Sequence, residues 1–508
     1  MSYFTVMTAG AQGLQTEMVR VEADVSNGLP VFLMVGYLSS EVKEASERVR
    51  TAIRNAGYTI PPKRIVVNLS PANVRKRGTA FDLPIAVAIL AALGVIPVKR
   101  LQETLFIGEL GLNGEIRPVD GILSVTYAAE KHHLKYVVLP KQNEREGKLN
   151  REIQTIGTAH LTEVCEWLKG KEIIDTEEKN AEKDFIEADV DYGEIQGQEG
   201  IKRATLVAVA GNHNLLYIGP PGAGKTMMAK RIPTILPELT WEESMELTKI
   251  YSAVGQLQKD NPLITRRPFR EVHHTITRAA LLGGGSYPRP GEITLAHGGV
   301  LFLDELAEFR KNVLEGLRQP LEEKCVRIVR GHGAYIFPAD FMLIGATNPC
   351  MCGNYPGKEC YCSPAQIQGY IGKISRPLLD RMDLCVEAPK VRYEDLTKVQ
   401  TGTTSAQMRH LVTIARQRQK ERFSGIRTKT NAQMKPEEVR EYCALNLSGE
   451  RMMRQAYETL HLTARSYHKI LKVARTIADL EEADQISEAH IAEAIGYRMI
   501  DAKYWGAK

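Results

Sequence analysis

The spacing of apolar residues predicts alternating strands and helices over the first third of the chain. Residues 31–35 and 64–69 are β-branched and apolar, which is typical of short strands. In 39–56 apolar side chains recur at helical spacing, and 83–93 is almost uniformly apolar, as in a helix buried in a core. Elements of both kinds in this order predict an α/β domain over residues 1–170.

Continuous apolar runs organise the middle of the chain, residues 192–390. The runs 215–218, 300–303 and 341–347 lack the alternation of half-exposed strands, so they predict strands covered on both faces in a parallel sheet. The first run leads into glycines, the second into two carboxylates and the third into an asparagine. Between the first two runs, glycines and prolines interrupt a helical pattern in 269–299, which predicts either an ordinary surface loop or a loop inserted in a helix that projects toward a central pore.

The last part of the chain, 391–508, has the pattern of a helical domain with polar breaks. Residues 171–191 are rich in charge and poor in large apolar side chains, which predicts a linker between the first two domains. The predicted helices of the last domain are 403–423, 436–444, 449–462, 466–479 and 487–497.

Bulk composition narrows the class of protein without giving a function. A chain of 508 residues needs several cores, and 43% hydrophobic with 25% charged residues is ordinary for a globular protein. The net charge of +5 permits a local basic surface but does not by itself indicate nucleic acid. The most apolar region, 83–98, is too short to span a membrane, and the first residues lack the pattern of a targeting segment. Eight cysteines in so long a chain do not indicate a secreted disulfide scaffold, so we expect a cytoplasmic protein without a membrane partner.

A phosphate-binding loop follows the first apolar run of the middle domain. Its glycines, lysine and threonine have the spacing G-x-x-x-x-G-K-[ST]. The glycines let backbone N–H groups converge on phosphate oxygens, Lys225 reaches the outer phosphates, and Thr226 holds magnesium. The predicted nucleotide-binding residues are Gly219, Pro220, Pro221, Gly222, Ala223, Gly224, Lys225 and Thr226.

The polar residues that end the next two apolar runs predict hydrolysis. Asp304 and Glu305 follow a buried strand about 80 residues after the loop, which is the context that a nucleotide site requires. Asp304 is suited to positioning magnesium through bound water, and Glu305 to taking a proton from the attacking water. Asn348, at the end of the third run, is suited to orienting that water.

Four cysteines lie in one short window directly after Asn348. Two C-x-C pairs, separated by seven residues, can surround one zinc ion as a tetrahedral thiolate site. The alternative is that these are reduced cysteines that are merely buried, because C-x-C pairs are less usual in zinc sites than C-x-x-C pairs. The predicted structural zinc ligands are Cys350, Cys352, Cys360 and Cys362.

A glycine-containing turn between two β-branched runs predicts a hairpin over 325–337. Basic residues on this hairpin could follow the phosphates of a DNA strand through a pore without reading bases. The alternative is an ordinary solvated strand edge. The candidate DNA contacts are Lys324, Arg327, Arg330 and His332.

The first domain resembles the proteolytic domain of Lon proteases. The resemblance is carried by the run Gly-Glu-Leu-Gly-Leu-Asn-Gly-Glu-Ile-Arg-Pro-Val-Asp-Gly at 108–121 and by Val-Val-Leu-Pro at 137–140. It implies the ribosomal S5 domain 2-like α/β fold, in which a serine and a lysine hydrolyse the peptide. Aligning the motifs puts Ala80 at the serine and Leu123 at the lysine, and neither side chain can do that chemistry. We therefore expect a Lon-like fold without peptidase activity.

The middle and last domains resemble the magnesium chelatase-like AAA+ ATPases. The resemblance is carried by the phosphate loop, Asp304 with Glu305, Asn348, Leu-Leu-Asp-Arg at 378–381 and the helix that begins at Ala-Arg at 464–465. With a Lon-like domain in front and the cysteine cluster, the order of domains is similar to that of the ComM/YifB family. The fold implied is a P-loop AAA+ domain with a parallel sheet, followed by a helical lid.

The resemblance also implies a mechanism and partners. It implies that ATP and Mg²⁺ bind between the subunits of a ring, which we expect to be a homo-hexamer. Arg381 would be the arginine finger that enters the site of a neighbouring subunit, with Arg376 as second choice, and Arg465 would be the lid arginine of its own site. Family members are implied to move on single-stranded or branched DNA and to drive branch migration of recombination intermediates in natural transformation. A chelatase motor subunit and a protein-remodelling ATPase remain as alternatives.

Overall fold

The computed structural model divides the chain into two compact units. The first contains 2–172 together with Trp241–Ile264, and the second contains 190–240 and the described residues from Thr265 onward. Most of the predicted linker 171–191 and the predicted domain boundary at 391 lie outside the described residues. The structure describes residues 2–172, 190–331, 333–390, 393, 402–460 and 462–505.

The first unit is built on a mixed seven-stranded sheet with the order β3-β4-β2-β1-β5-β8-β9. β2 lies antiparallel to both β1 and β4, and the other neighbours in the sheet are parallel. A separate short ribbon pairs β6 with β7. The strands are β1 Ser2–Gln12, β2 Gln15–Ser26, β3 Val31–Val35, β4 Arg64–Ser70, β5 Thr104–Phe106, β6 Glu109–Leu110, β7 Ile116–Arg117, β8 Tyr136–Pro140 and β9 Gln154–Thr158.

One helix of the first unit, Asp82–Ala92, is buried at every position, as its apolar sequence predicts. Its only charge, Asp82, is held by Arg48, whose Nε donates to the carboxylate at 3.0 Å. Burial raises the pKa of Asp82 to about 6 in spite of this arginine. The predicted helix 39–56 is confirmed with a break at Glu44. The other helices are Ser40–Lys43, Ala45–Asn55, Ile122–Lys131, Glu144–Gly147, Leu161–Leu168 and Trp241–Ala253.

The segment Trp241–Ile264, which we call the insert, corrects the predicted boundaries. The sequence assigned it to the ATPase domain, 192–390, whereas it belongs to the first unit. Ser252 carries the attachment: its carbonyl accepts from the N–H of Gly121 at 3.1 Å, and its hydroxyl donates to Glu146 at 2.5 Å. The Lys249 ammonium also lies 3.3 Å from the centroid of the Tyr127 ring. The sequence of residues 241–251 predicts a helix, which the structure has as Trp241–Ala253, but it carries no information on which sheet that helix packs against.

The second unit contains a five-stranded parallel sheet with the order β11-β14-β17-β10-β18. The three predicted buried strands are confirmed as β10, β14 and β17, which lie next to one another. Two antiparallel ribbons, β12 with β13 and β15 with β16, are the interrupted loop and the predicted hairpin. The strands are β10 Leu215–Ile218, β11 Phe269–Val272, β12 Gly283–Gly284, β13 Arg289–Pro290, β14 Val300–Leu303, β15 Cys325–Arg330, β16 Gly333–Pro338, β17 Met342–Thr347 and β18 Leu384–Glu387.

The second unit also contains many helices, and the five predicted lid helices are confirmed. Apolar residues of the lid pack in one core with strands β10, β14, β17 and β18. In the described part of the chain, no helix combines the length and apolar character needed to cross a bilayer. The helices are Glu199–Gly211, Lys225–Arg231, Arg278–Leu282, Glu292–Leu295, Lys311–Gly316, Arg318–Glu323, Pro364–Ile371, Arg376–Leu379, Ser405–Arg422, Pro436–Tyr442, Leu447–Thr459, Ala464–Leu480 and Glu488–Trp505.

Candidate functional site

The predicted phosphate loop joins buried strand β10 to the helix Lys225–Arg231. Gly222 and Gly224 have φ of 75° and 79°, a conformation that favours glycine, and the space where a Cβ would stand is open at both. Gly219 differs, because a Cβ there would lie 2.3 Å from the carbonyl oxygen of Ala388. The loop thus combines a tight entry with an open backbone ahead of a helix N-terminus, which is the arrangement that binds phosphate.

Lys225 is folded back over this loop. Its ammonium donates to the carbonyl oxygens of Gly219 at 2.7 Å and Pro220 at 2.9 Å, and to Oδ1 of Asn348 at 3.0 Å. Burial lowers the pKa of Lys225 from 10.5 to about 8, although the nearby carboxylates of Asp304 and Glu305 act to raise it. The structure therefore brings Lys225 and Asn348, which lie 123 residues apart, into one site.

The lowered pKa of Lys225 predicts that nucleotide binding takes up a proton in alkaline solution. The amine is largely neutral above pH 8 in the structure, and bound phosphate raises its pKa by opposite charge. The phosphate group of ATP loses its last proton near pH 6, so in alkaline solution it takes no part in the proton uptake. Uptake should approach about one proton per ATP near pH 9 and be close to zero near pH 7. Calorimetry in buffers of different ionisation enthalpy measures it, and Lys225→Arg, which stays protonated, should abolish it.

Asp304 lies at the end of β14 and directly contacts the loop. The hydroxyl of Thr226 donates to Asp304 Oδ2 at 2.7 Å, and the N–H of Glu305 donates to the other carboxylate oxygen at 2.9 Å. A hydroxyl and a carboxylate at hydrogen-bond distance beside a phosphate loop are the oxygen ligands that Mg²⁺ prefers, so these residues fit that ion. When bound, Mg²⁺ would neutralise charge on the phosphates.

Glu305 is accessible and backbone-strained, as suits a residue that acts on water. Its φ is 51°, in the left-handed region, and its side chain is 56% exposed. Nδ1 of His274 lies 3.4 Å from its Oε2. Sequence reasoning missed His274 because it did not identify β11 as a strand. With β11 placed in the sheet, His274 follows its carboxyl end just as Glu305 follows β14.

Arg381 and Arg465 meet at one carboxylate, that of Glu322. Arg381 Nη2 lies 2.7 Å from Glu322 Oε1, and Arg465 donates to the same oxygen. The Arg381 side chain is only 10% exposed, and its Nε donates to the carbonyl oxygen of Arg318 at 3.1 Å. Burial raises the pKa of Glu322, but the two guanidiniums outweigh it and hold the pKa below its usual range. Arg376 lies elsewhere, donating to the carbonyl oxygen of Trp505 at 2.7 Å.

The four basic residues predicted on the hairpin have different surroundings. Arg327 and Arg330 lie on β15 and are exposed, with Arg327 in a loose pair with Glu323 at 3.7 Å. Lys324 precedes the strand and pairs with Asp340 at 3.2 Å. His332 lies outside the described residues. A cavity of about 800 Å³ adjoins β15, and its lining includes Arg381.

The four clustered cysteines point their sulfurs at one another. The Sγ atoms of Cys350, Cys352 and Cys360 are 3.3, 3.6 and 3.8 Å apart, and with Cys362 all four lie within 4.8 Å. Thiolates on a tetrahedral zinc, with Zn–S bonds of about 2.3 Å, would be about 3.8 Å apart. The loop also packs on the phosphate loop, because a Cβ on Gly353 would lie 2.3 Å from Cδ of Pro221.

In the first unit, the two positions aligned with the Lon catalytic dyad carry no reactive group. The Leu123 side chain is fully buried, and Ala80 packs against an apolar cluster. The backbone N–H of Leu123 donates to Glu146 at 2.9 Å, and Glu146 also accepts from Ser252 of the insert. Glu146 therefore links the insert to the backbone at the position where a catalytic lysine would stand.

A parallel sheet that sets a phosphate loop beside Asp304, Glu305 and Asn348 defines a P-loop ATPase class, and family comparisons specify which one. Residues 191–396 match the family profile described as magnesium chelatase, subunit ChlI. Residues 21–143 match subunit ChlI of Mg-chelatase, and 402–498 match the ChlI C-terminal profile. These matches define the magnesium chelatase-like AAA+ class, which implies ATP and Mg²⁺ as ligands of the site and ATPase activity.

Several bacterial relatives match over nearly their whole length. The chain is 42% identical to the competence protein ComM of Haemophilus influenzae, over 98% of both chains. It is 40% identical to YifB of Escherichia coli, over 99% of this chain and 98% of that protein. The chain belongs to the ComM/YifB family of magnesium chelatase-like AAA+ proteins. A shorter similarity, 31% identity over 182 residues, links it to Lon protease 2 of Bacillus subtilis and covers 31% of this chain and 32% of the protease.

Proposed function

We propose that this protein is an ATP-driven ring motor, a homo-hexamer that moves along single-stranded or branched DNA. Its reaction is hydrolysis of ATP, with Glu305 as the base that takes a proton from water and Asn348 as the residue that orients it. The observation that carries the proposal is the meeting of Arg381 and Arg465 at Glu322. Two arginines on one carboxylate leave one positive charge uncompensated, ready for an anion such as a neighbouring subunit's γ-phosphate.

The placement of Arg465 beside Arg381 bears on its proposed role. The family resemblance implies that Arg465 serves the phosphates of its own subunit. Because both guanidiniums share Glu322, we propose that they act together on the same phosphate. In a ring, that phosphate belongs to the neighbour that receives Arg381.

DNA is the proposed substrate of the motor, and branch migration of recombination intermediates during natural transformation is the proposed task. The resemblance to the ComM/YifB family supports this, as does a relative named as a competence protein. The exposed Arg327 and Arg330 on β15 supply cations without a base-reading geometry, which suits movement along any sequence. Val329 and Ile336, 71% and 53% exposed on the same hairpin, add apolar surface for contact with bases.

The hairpin predicts how salt will affect DNA binding. Each phosphate contact on a single strand makes the fall of log K with log salt steeper by about 0.7. The double variant Arg327→Ala with Arg330→Ala loses two such contacts, so its slope should be shallower by about 1.4. Lys324→Ala is the matched control, because Lys324 is already paired with Asp340 and should change the slope little. Fluorescence anisotropy of a labelled oligonucleotide across a salt series measures it. An unchanged slope in the double variant would show that the hairpin does not bind DNA.

The two alternative functions, a chelatase motor and a protein-remodelling ATPase, differ from a DNA motor in the ligand that stimulates ATP hydrolysis. A chelatase motor would be stimulated by its partner subunits and porphyrin, and a protein-remodelling ATPase by unfolded protein. We expect forked or single-stranded DNA to stimulate hydrolysis and unfolded casein to leave it at the basal rate. Movement of a Holliday-type junction in a strand-exchange gel then tests branch migration. If casein stimulated hydrolysis and DNA did not, the proposal of a DNA motor would be wrong and a protein-remodelling function would be favoured.

We further propose that the four-cysteine cluster holds one structural zinc ion. The close approach of the thiols supports a tetrahedral site. Gly353, which lies between the two cysteine pairs, packs so closely on Pro221 of the phosphate loop that there is no room for a Cβ atom, so the two loops are in direct contact. Purified protein should contain about one zinc per chain, and Cys360→Ser with Cys362→Ser should lose it and bind ATP more weakly. Cys325→Ser, at a half-buried cysteine outside the cluster, is the control. Wild-type protein without stoichiometric zinc would remove the proposal.

A further inference from the structure

The first unit contains a cavity of about 530 Å³ that the ATPase site does not use. It lies where residues 145–155, around the start of β9, meet Trp241 at the beginning of the insert. Its volume is in the range of small-molecule sites, which run from about 300 to 1,000 Å³. A cavity of that size can hold one nucleotide. We call it the Trp241 pocket, and the side chains that carry the argument are Arg145, Lys148, Arg151 and Trp241.

The charge of the Trp241 pocket favours an anion. Three cations line it, and none of its described lining residues is an aspartate or glutamate. Arg145 pairs at 3.3 Å with Asp260, which is fully exposed, and Lys148 lies 3.5 Å from Glu144. The Arg145–Asp260 pair is exposed and therefore worth little, because water and salt screen it, whereas the Lys148–Glu144 pair is partly buried. A phosphate group can therefore replace Asp260 at Arg145 at small cost.

The aromatic side of the pocket favours a base. Of the three tryptophans, Trp167 is 5% exposed and the indole N–H of Trp505 donates to the carbonyl oxygen of Ile371, whereas Trp241 is 47% exposed. The guanidinium of Arg151 lies 5.6 Å from the centroid of the Trp241 ring, so a phosphate bound by Arg151 would hold its own base near that ring. Base stacking on an exposed aromatic is worth about 1–3 kcal/mol. Cations beside an accessible indole are the elements of a single-strand binding surface.

We propose that the Trp241 pocket binds one nucleotide unit, with the base on Trp241 and the phosphate on Arg145, Lys148 and Arg151. The same chemistry is present in a DNA strand and in a free nucleotide. The proposal goes beyond the motor, because this pocket lies in the unit that lacks the phosphate loop. It gives the Lon-like unit, which carries no peptidase dyad, a binding role.

Tryptophan fluorescence of the full-length chain tests the proposal. The background variant carries Lys225→Ala, Arg327→Ala and Arg330→Ala, so that neither the phosphate loop nor the hairpin dominates binding. The probes are an oligothymidylate of about ten nucleotides and, separately, thymidine monophosphate. We expect saturable quenching, which Trp241→Phe should remove from the fluorescence signal. Quenching by the oligonucleotide identifies a DNA strand as ligand, and quenching by the mononucleotide alone identifies a free nucleotide.

Affinity changes give the second readout. Trp241→Ala should weaken binding of the quenching probe by about 5- to 150-fold, the equivalent of losing one stacked base. Arg151→Ala removes one exposed cation while Trp241 itself stays in place, and should make the salt dependence of oligonucleotide binding shallower by about 0.7. Arg54→Ala, at an exposed arginine elsewhere in the unit, is the control. Absence of quenching by both probes in folded protein would overturn the proposal. DNA-stimulated ATP hydrolysis uses Lys225 and the hairpin, so the motor and this pocket can fail independently.

Discussion

Replacing Arg381 with alanine should lower ATP hydrolysis by about 10³- to 10⁵-fold while ATP binding stays nearly unchanged. An arginine finger stabilises charge that develops on the phosphates during transfer, so its loss affects the transition state far more than the bound substrate. In the structure Arg381 is largely buried against Glu322, which holds its guanidinium in a fixed direction. Phosphate release under saturating ATP measures the first effect, and equilibrium nucleotide binding measures the second.

The neighbouring arginine provides the matched control for this variant. Arg376 contacts the backbone of Trp505 rather than Glu322, so Arg376→Ala should retain most of the activity. If Arg376→Ala abolished hydrolysis while Arg381→Ala did not, the two assignments would have to be exchanged. Normal turnover of Arg381→Ala would remove it from the site altogether.

A mixing experiment tests whether Arg381 acts on a neighbour. Arg381→Ala subunits keep an intact phosphate loop, and Lys225→Ala subunits keep an intact finger, so each variant alone should be inactive. In mixed rings, interfaces that combine the two intact halves should regain hydrolysis, up to about a quarter of the wild-type rate at equal mixing. No recovery in rings that contain both variants would indicate that Arg381 serves its own subunit.

Replacing Glu305 with glutamine should lower hydrolysis by about 10²- to 10⁴-fold, which is the usual contribution of a positioned general base. The amide keeps the shape of the side chain but cannot accept a proton from water. Because Asp304 and Thr226 hold each other at 2.7 Å and remain intact, ATP and Mg²⁺ should still bind. The variant should therefore accumulate bound ATP, which is measured as unhydrolysed nucleotide retained after rapid gel filtration.

Glu308 is the control for the Glu305 substitution. It is an exposed glutamate three residues further along, paired at 3.3 Å with Lys373. Glu308→Gln should hydrolyse ATP at close to the wild-type rate. Comparable losses in both variants would point to a general effect of charge in this region and not to proton transfer by Glu305.

Much of the fold could be predicted because elements that are fully buried have almost uniformly apolar sequences. The helix Asp82–Ala92 and the strands β10, β14 and β17 are buried, and apart from Asp82 and Thr347 their residues are accordingly apolar or small. β11 was missed because it lies at the edge of the sheet and carries two charged residues, so its sequence is not a continuous apolar run. The insert was assigned to the wrong unit because its attachment depends on hydrogen bonds to Gly121 and Glu146, more than a hundred residues away.

In the site, too, residues that are close together in the sequence could be predicted, whereas contacts between residues that only the fold brings together could not. The phosphate loop is contiguous, so its spacing alone predicts a nucleotide site, and the structure adds the contact of Lys225 with Asn348. Glu322 could not be predicted, since its neighbour Arg465 follows 143 residues later and nothing around Glu322 departs from a helix surface. His274 required knowledge of sheet order. Roles that depend on a second subunit, such as that of Arg381, stay predictions.

The position of the insert constrains the order in which the protein can be completed during synthesis. The first unit buries Glu146 against Ser252, but Ser252 leaves the ribosome only after the phosphate loop and its strand have been made. At about 5–20 residues per second, the first unit waits roughly 5–20 s between the end of its main segment and its last helix. During that interval the carboxylate of Glu146 has no hydroxyl partner and the ring of Tyr127 no ammonium. A nascent chain of this protein should therefore gain resistance to protease over 2–172 only once residue 264 has emerged.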